Sequence, residues 1–588
     1  MDIFGWLSML GGLALFLYGM TLMGDGLSRA SGGRLERILE KLTNSPVKAV
    51  LVGAGVTAVI QSSSATTVMV VGFVNSGIMK LGQAVGIIMG ANIGTTITSW
   101  LLSLTGIDSS SFWISMLKPT SFSPILAIIG VVLLMFSEKD SHKNVASILI
   151  GFAVLMFGMD TMSDAVKPLR EVPEFTGMLT RFSNPILGML AGLVLTAVIQ
   201  SSSASVGILQ ALCVTGAVSY GAAIPIIMGQ NIGTCVTAMI SSIGASKNAK
   251  RAALVHLYFN IIGTVLFMVV FYAINAAVPF AFLAESADAV GIAVIHSVFN
   301  IVATLVLLPF SKLIVKLACL TIKDEDKPVV LSEHEKAFQL LDARFLDTPA
   351  LAVEQSRNVA ESMAKLAQES MTLAMELLDE YNEDKAARVV ALEDEVDKFE
   401  DVLGSYLVKL SSRDLSLVDS HIVNNLLHSI SDLERISDHA RNVKESAEEM
   451  FNKGICFSDE AIAELTTFRR AVNDILGVTT QSFIEEDMQL AEQVEPMEEV
   501  IDGLNLEIRQ RHVKRLREGR CTIELGFVLA DLCNDLERVS DHCSNIAVCL
   551  LQEDSDEQDA HAYVSGLKND GNESFSKRVE QYRKQYQL

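Results

Sequence analysis

The chain has 588 residues, half of them apolar, and a formal net charge of −23. The charge is divided: residues 1–320 carry a net +4 and residues 321–588 a net −27. A positive mean hydropathy over this length argues against an ordinary soluble protein, and the acidity of the second part argues against nucleic acid as a partner.

A membrane span needs ~20 mostly apolar residues. Residues 4–24, 81–104, 122–137, 145–166, 221–243, 252–278 and 287–320 meet that need. The first of these lacks a basic start and a cleavage site, so it reads as a retained helix. Residues 47–75 and 186–214 are apolar too, but each is broken at its middle by Gln and three Ser, which suits a re-entrant hairpin better than a single span.

Those polar centres belong to a repeat. The string TAVIQSSSA occurs at 57–65 and again at 196–204, an offset of 139. A second string keeps the same offset: IIMGANIGT at 87–95 and IIMGQNIGT at 226–234. Gly12–Met20 aligns with Gly151–Met159 in the same register, so the duplication covers about 5–137 and 145–310. Three crossings separate the first helix from its copy, and an odd number inverts the copy. The positions of the Lys and Arg agree, with a mild exception on the outer side at Lys167, Arg170 and Arg181, diluted by Glu171 and Glu174. Arg29, Arg34, Arg37, Lys41 and Lys48 lie on one side, and by parity Lys139, Lys143, Lys247, Lys250, Arg251, Lys312, Lys316 and Lys323 join them, marking a cytoplasmic face. Inverted repeats with two hairpins entering from opposite faces are an arrangement of secondary transporters.

The residue types suggest the chemistry. Neither repeated string contains Lys or Arg, so an anion there would be held by hydroxyls, helix-end N–H groups and co-bound cations. Side-chain carbonyls of Gln61, Gln200, Asn92 and Asn231, with exposed backbone carbonyls, suit a hard cation such as Na⁺. Gly90, Gly94, Gly229 and Gly233 flank the Asn residues and would let that helix unwind or approach a neighbour closely. Ser, Thr and Gly also serve plain helix packing in membranes, but two identical nine-residue copies with a matched second string favour a site. His256–Asn260 and His296–Asn300 repeat an i, i+4 pattern whose expected role is inter-helix hydrogen bonding rather than proton handling. Asp25, Asp160 and Asp164 stand near helix ends, where interfacial exposure is expected. The Ser triplets have no GxSxG context and no neighbouring His or acid, which argues against a serine hydrolase, and no enzyme is expected. Eight cysteines without CxxC spacing read as free thiols in a reducing compartment.

The paired QSSS strings, each followed by an N-I-G-T string, resemble the type II sodium/phosphate cotransporter family over about residues 5–310. The resemblance implies sodium-coupled movement of inorganic phosphate, with both ligands held where the hairpins meet. Carried over by motif, one half-site is Gln61, Ser62, Ser63, Ser64, Thr66, Asn92 and Thr95. The other is Gln200, Ser201, Ser202, Ser203, Asn231 and Thr234. Thr66-Thr67 in the first copy stands where the second has Ser205-Val206, so the halves are not equivalent and the stoichiometry stays open.

Residues 321–348 read as a charged linker, and 349–552 as six amphipathic helices, three long ones twice, near 349–381, 383–411, 416–452, 459–486, 488–518 and 521–552. Here SDLERISDHARN at 431–442 matches NDLERVSDHCSN at 534–545, an offset of 103. Glu393 and Asp397 correspond to Glu498 and Asp502, each pair on one helix face. With Asp432, Asp438, Asp535 and Asp541 these acids either converge on a divalent metal or form a solvated face with ion pairs to Arg435 and Arg538. The duplicated DLERxSDHxxN pattern resembles PhoU domains, paired three-helix bundles associated with phosphate regulation. The resemblance implies an all-α chain: a polytopic transporter in a bacterial-type inner membrane, then a cytoplasmic regulatory domain. A regulatory protein partner or a homo-oligomer is compatible with it, and residues 553–588 read as a mobile tail with a short closing helix. The main rival is a membrane-anchored phosphate sensor. A narrower one is net export through the same site.

Overall fold

The computed structural model describes residues 3–31, 38–39, 45–104, 119–137, 139–172, 175, 177, 181–323, 333–552 and 573–588. Arg34, Arg37, Lys41, most of the Ser-rich loop after residue 104, residues 324–332 and the first part of the tail lie outside them. The named elements are all helices, and the eight cysteines are free thiols. The chain forms two compact units: Met1–Val330 with Asp342–Thr348, and Leu331–Leu341 with Pro349–Leu588.

The first unit runs α1 (Ile3–Ser31), α2 (Pro46–Ile60), α3 (Ser63–Asn75), α4 (Leu81–Ser103), α5 (Pro119–Phe136) and α6 (Asp140–Val166). It continues with α7 (Pro185–Ile199), α8 (Ser202–Cys213), α9 (Tyr220–Ser241), α10 (Lys247–Ala277), α11 (Ala289–Leu307) and α12 (Ser311–Thr321). Among the described residues, six helical stretches are long and apolar enough to cross a membrane: Ile3–Ser31, Leu81–Ser103, Ser141–Leu169, Tyr220–Ser241, Lys247–Ala277 and Ala289–Thr321. The seventh expected span, 122–137, is a shorter apolar helix, Ser121–Phe136, with Pro124 in its first turns.

The hairpin arms are 15 and 13 residues in the first repeat and 15 and 12 in the second, each about 18–23 Å long and too short to span ~30 Å of hydrocarbon. The first arm of each hairpin starts with Pro46 or Pro185 in its first helical turn.

Glycine allows the close packing of these helices. A Cβ on Gly90 would lie 2.0 Å from the Val50 carbonyl oxygen, and one on Gly229 would lie 1.9 Å from that of Met189. α4 and α9 therefore run unbroken through the N-I-G-T strings: the glycines serve close approach, not unwinding. α1 and α6 meet in the same way. Gly19 faces the backbone of Gly151 and Leu155, and Gly158 faces that of Gly12 and Phe16. The contact is reciprocal because Gly12 and Gly19 map onto Gly151 and Gly158 by the repeat.

A pseudo-two-fold also organises the later helices. Thr264 Oγ1 on α10 donates to Met228 O on α9 at 3.5 Å, and Thr304 Oγ1 on α11 donates to Met89 O on α4 at 3.5 Å. Exchanging the repeats thus exchanges α10 with α11.

The second unit is α13 (Pro349–Glu376), α14 (Glu383–Ser411), α15 (Leu417–Lys453), α16 (Asp459–Glu485), α17 (Val494–Arg517), α18 (Ile523–Leu551) and α19 (Glu573–Gln585). α13–α15 and α16–α18 are the two three-helix sets. Tyr586, just past α19, packs on α16, with its hydroxyl donating to Asp474 at 2.7 Å and the Arg470 guanidinium over its ring.

Candidate functional site

Each hairpin turns in two residues. Gln61 ends α2 in the left-handed region (φ 61, ψ 19), and Gln200 ends α7 the same way (φ 60, ψ 19). Ser62 and Ser201 follow in extended backbone and cap α3 and α8. Their hydroxyls accept from the Ala65 and Ala204 N–H groups, both at 3.2 Å. The QSS string therefore encodes the turn as well as its polarity: Gln closes one helix and Ser opens the next. At each tip a helix C-terminus, the negative pole, stands beside a helix N-terminus, the positive pole.

The two tips meet. Ser64 Oγ lies 3.4 Å from the Gln200 carbonyl oxygen, a long contact. A cavity of about 300 Å³ lies between the tips, lined by Gln61–Ala65, Gln200–Ser203, Met20, Thr21, Gly24, Asp25, Ser28, Ile60, Met69, Asp347 and Thr348. Among the described residues, that wall holds no Lys or Arg but two carboxylic acids, Asp25 and Asp347. Asp25 was expected only to be exposed at a helix end, and Asp347 falls in the stretch expected to be a linker.

The structure separates the remaining sequence-predicted residues from the cavity wall. Thr66 is fully buried; it accepts from Thr57 Oγ1 at 3.0 Å and donates to the Ser62 carbonyl at 3.1 Å, bracing the first tip from behind. Thr95 and Thr234 donate back to Ala91 O and Gln230 O on their own helices. Asn92 donates to Asn260 Oδ1 at 2.9 Å, and Asn231 donates to Asn300 Oδ1 at 3.3 Å. His296 bridges the repeats: Nδ1 is 2.8 Å from Ser99 Oγ on α4 and Nε2 is 3.4 Å from Asn231 Oδ1 on α9. The expected inter-helix role of the His/Asn pairs holds for Asn260, Asn300 and His296. Gln61 accepts from Thr98 Oγ1 at 2.9 Å and is buried, while Gln200 is exposed.

In the second unit the acids do not form one site. Asp535 accepts from the other half, with His439 Nδ1 at 2.8 Å and Asn442 Nδ2 at 3.2 Å. Asp432 does the same with His542 Nδ1 at 2.8 Å and Asn545 Nδ2 at 3.1 Å. The two imidazoles stack between these pairs at 5.7 Å. The repeated DLERxSDHxxN motif is thus a reciprocal clasp between α15 and α18, and Asp432 and Asp535 are committed to it.

Of the other acids, Glu498, Asp502 and Asp541 bring carboxylate oxygens within 4.8 Å of one another. In the first half Glu393 is bonded instead by Arg441 at 2.8 Å, and Arg441 maps onto Ser544. Nearby Glu434 is half-buried; desolvation, then Asp438 and Glu400, push its carboxyl up to about 7. Glu537, its counterpart, is raised too, by desolvation and then Asp541 and Asp502.

Two repeats that present matched hairpin tips to one cavity, among helices apolar enough to cross a membrane, are an arrangement of secondary transporters. Comparison with known proteins makes this specific. The Na+/Pi-cotransporter family matches residues 15–164 and 169–296, and the PhoU domain matches 360–447 and 465–550. The chain carries a Na+/Pi-cotransporter domain followed by a PhoU domain. A Salmonella typhimurium protein named "Putative inorganic phosphate export protein YjbB" is 26% identical over 94% of this chain and 98% of its own length. A Thermotoga maritima phosphate-specific transport accessory protein, PhoU homolog 1, is 30% identical over 31% of this chain and 79% of its own. Rat sodium-dependent phosphate transport protein 2A is 27% identical over 31% of this chain and 29% of its own.

Proposed function

We propose that this chain carries inorganic phosphate by sodium-coupled alternating access, with the ligands between Gln61–Ser64 and Gln200–Ser203 and flux governed by the PhoU domain. The observation that carries the reading is the cavity itself: two helix N-termini and seven Ser, six of them from the two tips, converge on it, with no basic side chain in its wall among the described residues. Two helix ends supply about one positive charge between them, roughly what a phosphate monoanion needs and less than a dianion needs. Asp25 and Asp347 stand in the same wall, and co-bound cations would balance the charge of an anion held there. The C-termini of α2 and α7, the Ser hydroxyls and the Gln200 side chain give oxygen donors suited to Na⁺. Thr66, Asn92, Thr95, Asn231 and Thr234 then hold the tips from behind rather than touch the ligands.

The test is ³²P-phosphate flux in proteoliposomes of the purified protein, with and without a sodium gradient. Sodium-dependent flux is expected, with a loss of at least 100-fold in the Ser63→Ala/Ser202→Ala double variant. Phosphate binding without flux would overturn the carrier and favour the sensor. Net export is the second reading, favoured by the name of the Salmonella typhimurium relative, which covers nearly the whole chain. In the PhoU domain, Glu498, Asp502 and Asp541 are the residues that would hold a divalent cation, by an all-oxygen set suited to a hard ion.

A further inference from the structure

The seven residues Asp342–Thr348 pack into the first unit although the chain on either side of them belongs to the second. Phe345 is fully buried, its ring 5.6 Å from that of Phe73 and against Gly72, where a Cβ would lie 2.6 Å from the ring. Asp342 accepts from Asn75 Nδ2 at 2.6 Å and pairs with Arg344 at 2.6 Å. Arg344 Nε donates to the Ser241 carbonyl at 2.8 Å, and Asn75 Oδ1 accepts from the Ser246 N–H at 2.8 Å. The segment ends with Asp347 and Thr348 in the wall of the hairpin cavity. The next residue, Pro349, opens α13, the first long helix of the PhoU domain.

The seat belongs to the first copy. Gly72 and Asn75 map onto Ala211 and Val214 in the second copy, within a stretch, 66–75 against 205–214, that shares no identical position. An alanine at 72 would collide with the Phe345 ring, and a valine at 75 could not bond Asp342.

We propose that Asp342–Thr348 is an autoinhibitory strap: seated on α3, it holds the Asp347 carboxylate in the wall of the transport cavity, and the PhoU domain releases it by pulling on the chain at Pro349. There Asp347 and Thr348 occupy part of the wall that a bound anion faces, which raises the phosphate concentration needed for transport. Because the strap grips α3, it also resists motion of the first hairpin against the rest. The inference deepens the transporter reading and rests on it for its effect on flux.

The test compares wild type with Phe345→Ala, Arg344→Gln and Asp347→Asn in the full chain, reading phosphate KM and maximal flux in proteoliposomes. A second readout is the rate at which a hydrophilic maleimide modifies residue 348 in a Thr348→Cys background, mapped by mass spectrometry. Phe345→Ala and Arg344→Gln are expected to raise flux at low phosphate at least threefold and to speed labelling at 348 at least fivefold. Asp347→Asn is expected to lower KM at least threefold without changing the labelling. Arg344→Gln removes only polar anchors, so it decides the matter if Phe345→Ala fails to fold. Unchanged labelling in a folded anchor variant, or a flux that falls in step with faster labelling, would overturn the strap. Wild-type protein without flux would instead overturn the transporter reading, while the labelling comparison would still decide whether the strap releases.

Discussion

The two repeats of the membrane unit share their backbone and differ in their wiring. Gln61 and Gln200 adopt the same left-handed turn, and Ser62 and Ser201 cap their helices at the same distance. Behind the tips the likeness ends. In the first repeat Thr57 bonds Thr66, and Thr98 holds Gln61. In the second, the Thr196 and Ser205 hydroxyls are buried without a partner among the described residues, Gln200 is exposed, and Ala211 and Val214 stand at the positions of Gly72 and Asn75. Duplication preserved what closes the turn and lets helices approach, because either change would cost the fold. The polar bracing diverged: Thr57 and Thr98 brace the first tip, whereas the second hairpin is held through Gln210 on α8, whose amide donates to Ser99 O and Ala289 O.

The comparison can be broken most severely at a shared position. Gly90→Ala and Gly229→Ala should both drive a Cβ into a backbone carbonyl and cost on the order of 3 kcal/mol or more, seen as loss of monodisperse protein in detergent. Gly55→Ala, on the α2 arm against which Gly90 packs but itself facing nothing within 4 Å, should be neutral.

A smaller effect should distinguish the repeats. Thr57→Val removes a buried hydrogen bond and should cost about 1 kcal/mol, whereas Thr196→Val replaces an unpartnered buried hydroxyl and should be neutral or stabilising by a similar amount. Thermal midpoints in detergent should fall in that order.

The PhoU domain offers the parallel contrast between Arg441 and Ser544. Ser544→Arg should abolish any divalent-cation binding at Glu498, Asp502 and Asp541, and Arg441→Ser should add a second site at Glu393, read by calorimetric titration with Mn²⁺. Retained binding in Ser544→Arg would remove that triad from consideration.

The smallest effect concerns pH. Glu434 keeps its proton to about 7 in the folded domain but loses it near 4.5 when unfolded. Between those values the unfolded state binds fewer protons, so stability falls as pH rises through that window. Solvent screening at this half-exposed group limits the loss to about 1 kcal/mol. Hydrogen exchange of α14 and α15 at pH 5 and pH 8, without divalent cations, should show the loss in wild type and not in Glu434→Gln.

Much of this molecule is determined by the sequence alone, for local reasons. The helices follow from apolar runs of sufficient length. The repeat follows from identity at a fixed offset. The tips follow from Gln and Ser at the junction of two helices, where one residue must adopt a left-handed turn and the next must cap. The family resemblance rests on the same strings. What the sequence leaves open depends on which distant groups meet. Asn92 and Asn231 look like ligands because they carry carbonyls beside the repeated glycines, yet their amides bond Asn260 and Asn300, more than 65 residues away in sequence. Asp432 and Asp535 look like metal ligands until the pseudo-symmetric packing brings each to a His and an Asn of the other half. The segment Asp342–Thr348 looks like a linker because its charged, Pro-flanked composition says nothing of the groove beside Gly72. In each case a polar group buried on folding must find a partner, and only the tertiary structure decides whether that partner is a ligand or another part of the chain.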